Sequence, residues 1–226
     1  MRQLIIAATL AMSSSSFGAT LEVCPSGCAY TYIQDAIDDA NNGDVVFIYP
    51  GVYYEQINFD GKAITVSGSG ADVTTIDGYG SPGSVVTFAQ GEGVASVLED
   101  VHITNGSGTI FPDPIFGDLP CGGGIFLMGS SPVIHACRLT NNTCWGGAGM
   151  FNFMSSPDVE QCTFSNNIAE GHGGGSYNLN YSSPNFTECT FEGNDASWGG
   201  GVTNTVDCEP KFTNCMFTGN TVFNVG

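Results

Sequence analysis

Residues 146–175 read GGAGMFNFMSSPDVEQCTFSNNIAEGHGGG. Glycine clusters bound the stretch, and Pro157, Cys162, Phe164 and Asn167 follow in order between them. The same order recurs on both sides. Proline stands at 132, 157, 184 and 210 and cysteine at 137, 162, 189 and 215, both at intervals of 25, 27 and 26 residues. Two residues after each cysteine comes Leu139, Phe164, Phe191 or Phe217, and three further on Asn142, Asn167, Asn194 or Asn220. Glycine clusters lie at 122–124, 146–149, 173–175 and 199–201. Columns that keep one register over four copies mark a repeat of one structural unit.

Each unit holds segments too short to bury a core alone, such as Val159-x-x-Cys162-x-Phe164. Stacking the units lets every strand pair with its copy about 4.8 Å above and below. Like residues then fall into ladders: Phe164, Phe191 and Phe217 as an inward aromatic stack, the cysteines as an inward sulfur column, the asparagines as a turn ladder of linked amides. The glycines fit corners that a Cβ would block. The expected fold class is all-β, a right-handed parallel β-helix with a short N-terminal capping helix.

That helix is read from Ile33, Ala36, Ile37 and Ala40, one apolar stripe, with Thr31-x-x-Gln34 as a capping box. Asn42-Gly43 ends it, and residues 45–48 follow as a strand. A solenoid end exposes apolar core and unpaired strand edges, so the helix is expected to plug the first coil. The organisation is then residues 1–19 as a signal peptide, 20–50 as cap and first strand, and 51–226 as coils. Gly226 falls where a fifth glycine triplet would open, so the chain reads as cut short at its C-terminal end. The signal reading rests on Arg2, the apolar run 4–12 and the small residues before Ala19. It implies a secreted or cell-surface protein.

The composition restricts the partners. The chain has 226 residues, a net charge of −18, and only four Lys and Arg. Nucleic acid and anionic membrane surfaces both need a basic patch, and neither is expected as a partner. No segment after residue 19 is long and apolar enough to insert in a membrane. No C-x2-C pair occurs, against structural zinc, whereas Cys24 and Cys28 stand at a spacing that suits a local disulfide.

Residues 29–80, from AYTYIQDAIDDANNGDVVFIYPGVYYEQINFDGK to TTIDGYG, resemble the N-terminal cap and first coils of pectin-lyase-like β-helix proteins. From Gly122 onward the chain resembles the polymorphic outer-membrane protein repeat, with GGGI at 122–125, GGGV at 199–202, and F-x-x-N at Phe164–Asn167, Phe191–Asn194 and Phe217–Asn220. The resemblance implies the fold and leaves activity open, because one fold hosts lyases, hydrolases, esterases and binding proteins. A pectate lyase would carry an arginine base beside acidic calcium ligands; Arg138 is outward with no adjacent acid pair. A polygalacturonase would carry clustered aspartates and an Arg-Ile-Lys run, which is missing although Gly171-His172-Gly173 echoes its Gly-His-Gly. The Gln-Asp and Asp-Phe runs of a pectin methylesterase are missing too.

The candidate site is therefore a binding surface. After the glycines the chain alternates, so Ile125, Met150 and Val202 point inward and Phe126, Phe151 and Tyr177 form an outward column. Trp145, His172 and Trp198 precede the triplets at the same edge. Such a row could stack on sugar rings, or it could be covered by the long insertion over residues 106–120. No cofactor is required. Calcium could bridge Asp118, Glu170 and Asp195, which fall at one turn in three coils, although solvated turn carboxylates are the commoner reading of such acids. The leading reading is a non-catalytic, adhesin-like protein that binds a glycan or a surface partner. The alternatives are a polysaccharide lyase or glycoside hydrolase of the pectin-lyase-like superfamily, and a structural stalk.

Overall fold

The computed structural model of the chain describes residues 18–113 and 117–223. The signal peptide read over 1–19 falls almost wholly outside the described residues, as do Ile115 and Phe116 of the insertion and the glycine at 226.

The fold is an all-β, right-handed solenoid of about eight turns. In one coil the strands Ile125–Met128, Val133–His135, Arg138–Thr140 and Thr143–Gly146 follow one another, each in a different sheet. Sheet I collects eight strands, from Thr20–Val23 to Lys211–Thr213, and sheet II seven, from Gly51–Tyr53 to Met216–Thr218. Sheet III has six, from Ile57–Asn58 to Val202–Thr205, and sheet IV six, ending at Thr221–Val222. Pairing is parallel and in register, Phe164 facing Phe191 and Phe191 facing Phe217. Sheet IV departs from this in two ways: its register shifts at bulges near Cys144 and Ala169, and in the insertion Thr109–Asp113 and Gly117–Cys121 pair as an antiparallel hairpin at its edge.

Left-handed backbone turns the corners. Ala136, Gln161, Glu188 and Asn214, each just before a repeat cysteine, have φ of 50 to 55°. Isolated non-glycine residues rarely hold this conformation, and its recurrence marks a corner fixed by the stack around it. Between sheets IV and III, Gly122, Gly147, Gly173 and Gly199 take φ of 62 to 65°. There the next coil leaves no room for a side chain: a Cβ on Gly149 would meet the Gly175 carbonyl oxygen at 2.4 Å.

Inside, the rings of Phe164 and Phe191 stack at 4.7 Å, and those of Phe191 and Phe217 at 4.8 Å. The asparagine ladder has every amide satisfied. Asn142 Nδ2 donates to Asn167 Oδ1 (3.0 Å), Asn167 to Asn194 and Asn194 to Asn220 (both 2.9 Å), while each Nδ2 also reaches a main-chain carbonyl such as Leu139 O. Two further ladders are present. Asn152, Asn178 and Asn204 link amides on the inner face of sheet III (2.8 and 2.7 Å). At the turn from sheet III to sheet I, Ser130 N donates to Ser155 Oγ and Ser155 N to Ser182 Oγ, both at 3.1 Å. The buried Glu92 starts this serine ladder, accepting from Ser130 Oγ (2.7 Å), Gln90 N and Gly61 N (2.9 Å each).

The helix α1 (Ile33–Asp39) covers the first coil with Ile33, Ala36 and Ile37. It packs against the strands 20–23, 45–48 and 57–58. Its N-terminus differs from the expected capping box. The N-cap is Tyr32, without a side-chain cap, and Gln34 bonds instead to Asp38 and to the Asn58 main chain. The orphan N–H groups of Ile33 and Gln34 are met by the Glu55 carboxylate at 2.9 and 3.0 Å. At the other end the Lys62 ammonium donates to the carbonyls of Ile37 (2.7 Å), Asp38 (2.6 Å) and Ala40 (2.9 Å). Both ends are thus held by side chains of the following coil. Cys24 and Cys28 are joined by a disulfide just ahead of the helix.

Candidate functional site

Alternation along the strands of sheet III puts Asn58, Thr87, Phe126, Phe151, Tyr177 and Thr203 in one outward column. The register agrees with the reading of the sequence, but the exposure does not. Phe126, Phe151 and Tyr177 are 4%, 0% and 5% exposed. The hairpin folds over them: Phe111 sets its ring against Phe151 (5.1 Å) and Phe153 (4.9 Å), and Leu119 and Cys121 close the cluster. Three large rings on an outer face bury far more apolar area under a hairpin than they could in water. The column is a second core, and the expectation that it forms an open platform is corrected.

The edge residues stay nearer the surface. His172 stacks on Tyr177 (5.0 Å) and on Trp198 (4.8 Å), while Trp145 meets it edge-on at 5.3 Å. Trp198 is 58% exposed, and Trp145 and His172 are half-buried. Burial among rings lowers the His172 pKa, against an opposing pull from the Asp113 carboxylate at the hairpin tip. The Tyr177 hydroxyl accepts from Thr205, and burial raises its pKa. The shelf is therefore neutral at pH 7.

Because the hairpin covers only the middle of the column, Asn58 and Thr87 stay open beside it. A groove of about 570 Å³ lies there, lined by Gln56, Asn58, Pro82, Thr87, Ser107, Thr109, Ile110 and Pro120 among others. Its walls are fixed by hydrogen bonds: Ser84 and Thr109 share one of 2.8 Å between hydroxyls, Gly83 N donates to Ser107 Oγ (3.0 Å), and Gln56 Nε2 to Ser81 O (3.2 Å). Ile110, 61% exposed, supplies an apolar lip. No lining residue carries a charge. The groove is missed by a sequence reading centred on aromatic residues, because its polar groups come from coils without the regular repeat.

The acids Asp118, Glu170 and Asp195 do not come together. Asp118 lies in the hairpin opposite Pro112, Asp195 sits opposite Ile168 and Thr221 and accepts from the Thr221 hydroxyl, and Glu170 falls in a bulge two residues further along. Among the described residues no group of three or more His, Cys, Asp or Glu side chains is placed to hold a metal. His102 bridges coils, with Nε2 at 2.6 Å from Thr140 Oγ1 and Nδ1 at 3.4 Å from Thr75 Oγ1. Arg138 pairs with Asp72 at 2.6 Å on the surface.

A family model described as the right handed beta helix region matches residues 62–226. The chain belongs to this family. No curated protein matches it by sequence. Among solved structures the β-helix is similar to a pectin methylesterase in complex with hexasaccharide VII, with a TM-score of 0.55 and 13% identity over 91% of this chain and 67% of that one. It is also similar to the pectin methylesterase from carrot (TM-score 0.48, 12% identity, 92% and 86% covered) and to that from Aspergillus niger (0.47, 14%, 92% and 88%). At such identities the likeness shows the pectin-lyase-like fold alone. No helix among the described residues is long and apolar enough to cross a membrane.

Proposed function

We propose that this β-helix is an exported or cell-surface protein that binds a neutral polysaccharide in the groove between sheet III and the hairpin, without cleaving it. The groove carries the reading. It is open, its donors and acceptors are the amides and hydroxyls of Gln56, Asn58, Thr87, Ser107 and Thr109, and Ile110 and Pro120 offer apolar contact. That mixture suits sugar hydroxyls and C–H faces. A net charge of −18 disfavours a polyanionic chain. Hydrolysis or lyase chemistry needs positioned acids or bases, and the outward column of sheet III presents amide, hydroxyl and aromatic side chains. Incubation with a panel of neutral and acidic polysaccharides, followed by affinity electrophoresis and mass spectrometry, tests this. Retardation by a neutral polysaccharide that is recovered intact is expected. Release of shortened, unsaturated or de-esterified products would instead establish an enzyme.

A further inference from the structure

A second cavity, distinct from the groove, lies at the capped end of the solenoid. It measures about 300 Å³ and is lined by Pro25, Thr31, Tyr32, Val52, Tyr53, Tyr54 and Glu55. Tyr32, Tyr54 and Glu55 line it, and Tyr53, buried in the main core, closes its floor. Tyr32 is 59% and Tyr54 69% exposed, and Val52, in the strand Gly51–Tyr53, is 51% exposed.

The walls are built rather than incidental. Pro25 stands in the loop closed by the Cys24–Cys28 disulfide. It approaches Tyr53 across Gly51, where a Cβ would meet Pro25 Cγ at 3.0 Å and the Tyr53 ring at 3.3 Å. Tyr53 is anchored by its hydroxyl, which donates to Tyr49 O at 2.8 Å. The Glu55 carboxylate is held in place by the N–H groups of Ile33 and Gln34. Each carboxylate oxygen has a further lone pair beyond that bond. The nearest basic side chain in the cap, Lys62, is committed to three carbonyls at the far end of α1. No lining residue is basic.

We propose that this tyrosine cradle binds a quaternary ammonium group, such as the trimethylammonium head of a choline ester. Aromatic faces attract a cation through their quadrupoles, most strongly for a weakly hydrated one, and a fixed carboxylate adds a direct counter-charge. The acidity of the whole chain raises the local concentration of cations around the cavity. A sugar would need several directed hydrogen-bond partners, and Thr31 is the one aliphatic hydroxyl in the lining.

Titration of the full chain with choline chloride at constant ionic strength, followed by NMR shifts of the tyrosine rings, tests the proposal. The neutral isostere of choline, with carbon in place of nitrogen, serves as control. Saturable binding of choline is expected, at least about tenfold tighter than the isostere and weakened by a similar factor in Tyr54→Leu and in Tyr32→Leu. Both rings are more than half exposed, so these variants should melt like the native chain. Equal binding of the isostere, unchanged affinity in both variants, or no saturable shift with choline would each overturn the proposal.

Discussion

At the scale of single residues, ladders carry the fold, and what a ladder presents to its first and last members decides the cost of breaking it. Phe151 is enclosed by Phe111, Phe126 and Tyr177 and is fully buried. Phe151→Ala is expected to cost about 3–5 kcal/mol, as for other buried phenylalanines, whereas Thr190→Ala on the outer face of sheet II should stay within about 0.5 kcal/mol. Urea denaturation of the two variants checks this. Glu92 makes the stability sensitive to pH. Burial disfavours its charge, but hydrogen bonds from Ser130 Oγ and from main-chain N–H groups outweigh it, and its pKa is held below the usual carboxylate value. A depressed folded pKa means that the stabilisation is complete above the unfolded value, about 4.3, and is lost as pH falls through the folded one. The native melting temperature should therefore fall more steeply in acid than that of Glu92→Gln. Parallel melting curves down to acid pH would remove Glu92 from the account. The inner asparagines at 152, 178 and 204 and the serines at 130, 155 and 182 stand at repeat spacing in the sequence. They are legible there, but polar residues in a β-rich chain default to turns, and only the structure shows them facing inward.

At the scale of elements, the coil is legible because its period is written in columns with a physical reason: glycine for close approach, asparagine for the amide ladder, phenylalanine for ring stacking and cysteine for the inward sulfur column. The helix is legible from its apolar stripe, but its caps are not. Glu55 and Lys62 reach it from more than twenty residues away, and no local spacing encodes such a contact. Lys62→Met removes an ammonium shared by three helix carbonyls and should cost about 1.5–3 kcal/mol, read from chemical denaturation. The hairpin is the element on which the candidate site turned. Its length and apolar content show in the sequence; its docking on Phe151 and Phe153 does not, because an insertion carries no repeat register to fix where it lies.

At the scale of the whole molecule, a solenoid separates the residues that hold it up from those that face a partner. Inward columns and corners are constrained coil by coil, and the outer faces and insertions remain free to vary. Here the aromatic row belongs to the structure, covered by the hairpin, and the open groove beside it is the proposed binding surface. That division is tested by retention on a glycan array of Asn58→Ala/Ile110→Ser beside that of the native chain, with a melting curve for each. Asn58 and Ile110 line the groove and lie outside the buried aromatic cluster. The account predicts that retention on the neutral glycan is lost while the melting temperature is nearly unchanged. Full retention by a folded double variant would contradict it.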